Sequence, residues 1–238
     1  MATAAAPILE QGHPCGACAV REIAVCGVLE SDSLRCFKES GPSCEYQPGD
    51  TVVFEGDEAT SVYTLTTGLL RLSKLLADGR RQIAGFLFPG DFLGITMEDE
   101  HAFTAEAVAP STLCRFPRPR FDNFVAAHPE LERRLYAVAV HELAAAREQL
   151  VLLGRKTATE RVASFLLTLA DRRPADGANP HEVRLPMSRS DIADYLGLRI
   201  ETVSRELSNL KASRVIQLTG RQSMLVCDRD RLESLAAG

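Results

Sequence analysis

The chain has 238 residues, 45% hydrophobic and 25% charged, enough to build one large core or two small ones. Its net charge of −5 excludes a surface coated in basic residues for indiscriminate nucleic-acid binding, but not a local basic face. No run of about 18 apolar residues occurs, and the opening MATAAAPILEQGHPC has neither a basic start nor a sustained apolar stretch. No membrane span and no signal peptide are therefore expected, and the cytoplasm is the expected compartment.

Residues 1–28 read as a cysteine-bearing arm. Cys15 and Cys18 stand two residues apart and Cys26 follows, among Gly12, Pro14 and Gly16, which suit an irregular wrap rather than a helix. A close thiolate pair can grip one soft metal centre, and a third thiolate closes a small loop on it. The cysteine count of seven is odd, and cytoplasmic thiols stay reduced, so ligands are expected rather than disulfides. Cys36 and Cys44 read as inert, Cys227 as packed in a later hairpin, and His13 as loop surface.

From about residue 30 to 120, short apolar runs alternate with turns at Gly49-Asp50, Gly56-Asp57, Gly68, Asp78-Gly79 and Pro89-Gly90-Asp91. That spacing predicts a small all-β roll or barrel over residues 29–125, with a hairpin tip at DGRRQ. After Pro119 the texture becomes helical. Pro129 suits a first helical turn, and Leu131, Leu135, Val138, Leu143, Leu150 and Leu153 mark an apolar stripe up to Gly154. A helix of that length over residues 126–154 suggests a coiled-coil partner, most simply a second copy, with Leu135, Val138, Leu143 and Leu150 at the seam.

Residues 155–238 read as a second, helical domain. TATERVASFLLTLADRR is an amphipathic helix, PADGANPHE a loop, and LPMSRSDIADYLGL with RIETVSRELSNLKASRVI a helix pair joined at Gly197-Leu198. A β-hairpin wing turns at Thr219-Gly220. Ser188 is a natural N-cap, and Gly197 permits the sharp turn of a helix-turn-helix. Residues 184–221 carry seven basic against four acidic side chains, so the positive charge is concentrated where this pair lies. Arg199, Glu201, Thr202, Ser204 and Arg205 fall at the start of the second helix, where a recognition helix meets base edges. Arg205 can take guanine O6 and N7 together, Glu201 can accept from cytosine N4, and Ser204 can contact a base or a methyl group. Lys211, Arg214 and Arg221 are expected on phosphates. Double-stranded DNA is the expected partner.

These motifs resemble the CRP/FNR superfamily of bacterial transcription regulators along nearly the whole chain. GDEATSVYTLTTGLLRL and FPGDFLG are similar to its β-roll, GRKTATERVASFL to its hinge, and SRSDIADYLGLRIETVSRELSNLKASRVI to its winged helix-turn-helix. The resemblance implies an α+β fold: a cyclic-nucleotide-binding-like β-roll, a long dimerisation helix and a C-terminal winged helix-turn-helix. It implies a homodimer that contacts RNA polymerase. The reading helix resembles the FNR type, which implies a two-fold site like TTGAT-N4-ATCAA. Oxygen-sensing FNR relatives hold a [4Fe–4S] cluster with three arm cysteines and one distant one, a plan that Cys15, Cys18, Cys26 and Cys114 match. By that resemblance a docked arm supports the packing of the long helix against its twin, and loss of the cluster in oxygen loosens it.

Two departures qualify this. After FPGDFLG the chain runs ITMEDEHAFTAEAVA, with acids and no Arg to hold a ligand phosphate, so no cyclic nucleotide is expected. The helix reads Leu143-Ala144-Ala145-Ala146, with no acid to drive charge repulsion at a seam, so the dimer is expected to persist without the cluster. Zinc is the chemical rival for the thiols, though structural zinc sites bring two close pairs and only one exists here. The alternative function is a FixK-like regulator without a cluster, controlled by abundance or thiol oxidation. No nucleophile–base set, phosphate-cradling Gly loop or HExxH motif appears, so an enzyme is not expected.

Overall fold

The computed structural model describes residues 7–95, 99–172, 182–220 and 222–238. The expected PADGANPHE loop falls almost wholly outside them, as does Arg221. Two compact units form. One comprises residues 1–74 and 84–143, the other residues 75–83 and 144–238.

In the first unit, helix α1 (Ser31–Glu39) precedes the roll. The roll is a six-stranded sheet of β1 (Ser43–Tyr46), β2 (Thr51–Val53), β3 (Ser61–Leu75), β4 (Arg81–Leu87), β5 (Phe92–Leu93) and β6 (Thr104–Pro117). The order is β1-β6-β3-β4, with β2 on β6 and β5 on β3. Side chains alternate between the faces of a strand, and both faces are used. Tyr63, Leu65, Ala105, Ala107 and Leu113 point into the roll with Val53, Leu70 and Leu87. Their neighbours Val62 and Phe116 point the other way, into a second cluster with Val25 and Leu29 of the arm and Leu34 and Phe37 of α1. Phe121 of α2 (Arg118–Ala127) and Leu131 of α3 (Pro129–Arg155) complete that cluster. Phe37 stacks on Phe116 at 4.1 Å between ring centroids. Cys114 follows the alternation and stands on the Phe116 side, facing the arm.

Helix α1 lies where strands alone were expected. Only Leu34 and Phe37 of it are buried, a pair three apart that a short helix shares with many strand patterns. The expected long helix is present as α3, one residue longer than the Gly154 stop. Leu135 and Val138, expected at the dimer seam, are partly buried against the second cluster within the protomer. Leu143 and Leu150 are exposed, and Tyr136, Val140 and Val151 are exposed with them.

In the second unit, α4 (Ala158–Asp171) opens with a reciprocal capping box between Thr157 and Glu160. Helices α5 (Arg189–Leu196) and α6 (Ile200–Ala212) follow, and then α7 (Arg229–Ala237). The wing is a three-stranded antiparallel sheet, β7 (Glu182–Arg184), β9 (Ser223–Val226) and β8 (Ile216–Leu218) in that order. It has one strand more than the hairpin expected. Val162, Phe165, Leu166, Ile192, Leu196, Val203, Leu207, Met224 and Leu232 are buried in this unit. Among the described residues no helix is long and apolar enough to cross a membrane.

Candidate DNA interface and thiol centre

The helix pair α5–α6 is built as its sequence dictates. Ser188 caps α5: its hydroxyl accepts the Asp191 N–H at 3.0 Å, and the Asp191 carboxylate accepts the Ser188 N–H at 3.0 Å. Gly197 ends α5 in the left-handed region at φ 61°. An added Cβ there would find only ordinary contacts, so it is the backbone conformation, not crowding, that calls for glycine.

Glu201, Ser204 and Arg205 are exposed along one side of α6, and Thr202 is half-buried beside them. Arg199 is the N-cap residue, so it flanks the first turn rather than lying in it. Lys211 and Arg214 are exposed at the far end. Arg214 holds φ 59°, a conformation an Arg adopts at a cost of about 1–2 kcal/mol.

Sequence reasoning missed three supports of this surface. Glu206 is 8% exposed. It accepts from the Thr159 hydroxyl at 2.9 Å and lies 3.4 Å from Arg205 Nε, so it ties α6 to α4 and steadies the reading Arg. Arg161 donates to the Leu153, Lys156 and Leu196 carbonyl oxygens at 2.8–2.9 Å, closing the end of α5. Arg81, on the hairpin tip, forks onto Asp191 at 2.9 Å and Asp194 at 2.7 Å, and Gln82 donates to the Asp194 carbonyl oxygen. The contacts that tie these residues across elements, Thr159 with Glu206, Arg161 with Leu196 and Arg81 with Asp191, join positions distant in the chain, which local sequence does not mark.

In the first unit one cavity is lined by Cys15, Cys18, Cys26 and Cys114 together, with Arg21, Lys38, Thr64 and Phe37 among the other walls. The arm that brings the first three has only short turns. The Gly16 N–H donates to the His13 carbonyl oxygen at 2.8 Å, Cys18 N–H to Cys15 O at 3.2 Å and Arg21 N–H to Cys18 O at 3.3 Å. Buried Val20, Ala24, Val25 and Leu29 hold it down. Gly27 is obligatory by crowding, since a Cβ would collide with the Arg21 carbonyl oxygen.

His13 is not the loop-surface residue expected. It is 5% exposed; its Nδ1 accepts the Cys15 N–H at 3.0 Å, which leaves Nε2 to donate to the Ser31 carbonyl oxygen at 3.1 Å. The imidazole thus fastens the Cys15 turn to the start of α1.

Burial, then the neighbouring Cys15, Cys18 and Cys114, pushes the Cys26 thiol up to about 12. Burial also raises Cys15, with Cys18 adding to the effect. Burial and the neighbouring sulfurs thus disfavour the thiolate form of Cys15 and Cys26. Yet among the described residues no three His, Cys, Asp or Glu side chains gather tightly enough to hold one metal ion. Cys36 and Cys227 are exposed, and Cys44 pairs with Leu113 in the β1/β6 ladder.

A β-roll followed by a long helix and a winged helix-turn-helix with an exposed polar reading face defines a DNA-binding regulator. The family model of the cyclic nucleotide-binding domain matches residues 43–128, and that of the Crp-like helix-turn-helix domain matches residues 160–235. The chain is 46% identical to the nitrogen fixation regulation protein FixK of Bradyrhizobium diazoefficiens, over 95% of each chain. It is 39% identical to the transcriptional activator protein FnrL of Cereibacter sphaeroides, over 92% of this chain and 90% of that one. Among solved structures, FixK2 from Bradyrhizobium japonicum superposes with a TM-score of 0.78 at 38% identity, covering 83% of this chain and 98% of the other. The chain belongs to the CRP/FNR family of DNA-binding transcription regulators and is not an enzyme.

Proposed function

We propose that this regulator acts in the cytoplasm as a homodimer on a two-fold DNA site and takes its signal through the thiol cavity. The observation that carries this reading is the convergence of Cys15, Cys18, Cys26 and Cys114 on one cavity. Arg205, Glu201 and Ser204 would read bases of a TTGAT-N4-ATCAA-like site. Arg199, Thr202, Lys211, Arg214 and Arg221 would contact its backbone, and RNA polymerase would be the downstream partner.

Two chemistries fit the cavity. The comparisons favour a FixK-like regulator without a cluster, answering to its own abundance or to oxidation of its thiols, on the strength of the likeness to FixK. The four cysteines lining one cavity would suit a [4Fe–4S] cluster. A single zinc ion needs its sulfurs about 2.3 Å from one point, and the thiols are not gathered so closely; a four-iron centre holds its ligands at the corners of a larger body. The orphaned hydroxyl of Thr64 and Nε of Arg21 in the cavity wall also suit a bound anionic group. When bound, such a cluster would supply an oxygen-labile centre.

In either case the chain's own residues carry the signal. Arg134 of α3 donates to the Ile23 carbonyl oxygen at 2.7 Å, between Cys18 and Cys26. Cys15, Cys26 and Cys114 border the same apolar cluster on which Leu135 and Val138 of α3 rest. A change in the arm therefore reaches α3 by a hydrogen bond and by packing. Another face of α3 leaves Tyr136, Val140, Leu143 and Leu150 exposed at heptad-like spacing, and we assign the seam to it.

Iron and acid-labile sulfide per chain, measured on protein purified without air, tests the choice. About four of each, with a brown absorbance that bleaches in air and is absent from Cys114→Ser, would establish the cluster. Neither iron nor sulfide would leave the FixK-like reading.

A further inference from the structure

Polar side chains stand around the thiol cavity, Lys38, Thr64 and Thr66 among them. Thr66 is engaged, donating to the Thr112 carbonyl oxygen at 2.8 Å. Thr64 is not. It is 2% exposed and its hydroxyl has no hydrogen-bond partner among the described residues. It stands opposite Cys114 in the β3/β6 register, so both side chains leave the sheet on one face. On another side of Cys114 the Lys38 ammonium lies 3.3 Å from the sulfur. The same ammonium donates to the Gly41 carbonyl oxygen at 3.1 Å and the Ser43 hydroxyl at 2.9 Å. Buried polar groups without partners are uncommon and call for an explanation. Both side chains carry donors: the Lys38 ammonium already lies against the Cys114 sulfur, and the Thr64 hydroxyl finds no acceptor among the described residues.

We propose that Thr64 and Lys38 donate hydrogen bonds to the Cys114 side of a thiol-bound cluster and set how readily it is oxidised. The inference rests on the cluster reading above. The potential of an iron–sulfur cluster follows its net charge, its burial and the hydrogen bonds to its sulfurs. Donors and a nearby cation favour the more negative, reduced form, so they raise the potential and slow oxidation. Neither residue is a ligand; both are positioning residues.

The test compares wild type with Thr64→Val, Thr64→Ser, Lys38→Met and Lys38→Arg, all purified without air. Iron and sulfide per chain are measured first. The bleaching rate at fixed dissolved oxygen, the midpoint potential and the deuterium-sensitive shift of the iron–sulfur stretching bands follow. The Val and Met variants are expected to load iron, bleach about three- to tenfold faster, move to a more negative potential and lose part of the deuterium shift. The Ser and Arg variants are expected to keep wild-type values. Loaded Val and Met variants that match wild type in all three readouts overturn the inference and leave the cluster reading standing. Wild type without iron or sulfide overturns both. If Thr64→Val fails to fold, the Lys38 pair decides by the same readouts, because that side chain enters the cavity from α1 rather than from the sheet.

Discussion

The reading helices and the cysteine arm are held by different means. Helix α5 carries its own instructions: a cap at Ser188, an acid at Asp191 to complete the box, and a left-handed Gly197 to end it. Among its described residues the arm has no strand and one short 3-10 turn, Val25–Val28, and it is kept in place by apolar anchors, by His13 and by Arg134. Local capping makes a surface that keeps its shape regardless of signal. Tertiary anchoring makes a segment that one lost contact can loosen, which suits a place where a signal enters.

Changes in one region should leave the other intact. Arg205→Ala removes the side chain best suited to a guanine. At about 1–3 kcal/mol per bidentate base contact, counted in both half-sites, DNA affinity should fall ~30-fold or more. The reactivity of the arm thiols should not change. Fluorescence anisotropy on a palindromic duplex, beside thiol titration, checks both; an equal loss on unrelated DNA would mean that Arg205 contacts phosphate. Gly27→Ala forces a Cβ against the Arg21 carbonyl oxygen. The Cys26 thiol should then react at least about tenfold faster with a thiol reagent, with reading-helix stability unchanged. Unaltered Cys26 reactivity would show that the arm is stiffer than its turns suggest.

Smaller effects sharpen the contrast. Ser188→Ala deletes a cap and should lower stability by ~1 kcal/mol in thermal unfolding, without affecting the arm. A drop several times larger would mean that Asp191 depends on Ser188 for more than the cap. His101 is held below the usual histidine range, by burial first and by Arg118 next. The unfolded chain therefore binds its proton more readily, so the contribution to roll stability is complete above about pH 6.5 and is lost as pH falls below it. Denaturant midpoints at pH 7.5 and 5.5 should differ less in His101→Gln than in wild type; equal differences would rule His101 out.

The reader was largely apparent from sequence because its determinants are local: Ser188, Gly197 and the polar first turns of α6 mean the same thing in any helix-turn-helix. The three close cysteines were equally visible, and the likeness to a known family supplied Cys114. The parts that escaped notice depend on residues distant in the chain. Thr64 reads as one more strand residue until the β3/β6 register sets it beside Cys114. His13 reads as loop surface, and Lys38 carries no mark in the sequence, until α1 brings them to the arm and the cavity. The α3 stripe mixes two kinds of residue for a related reason. The helix has two apolar faces, and a list of its leucines does not say which one the protomer keeps for itself.

The C-terminal compact unit is not a continuous stretch of chain. It includes residues 75–83, the tip of the β3–β4 hairpin, and through Arg81 that tip supplies a cation to Asp191, which is 3% exposed. A fragment cut at residue 144 or 155 to yield a stand-alone DNA-binding piece would keep every helix and lose that guanidinium. Two acids on α5 would then share a surface without it. Excision should respect spatial neighbourhood rather than sequence order, and a fusion or truncation series should carry the hairpin along.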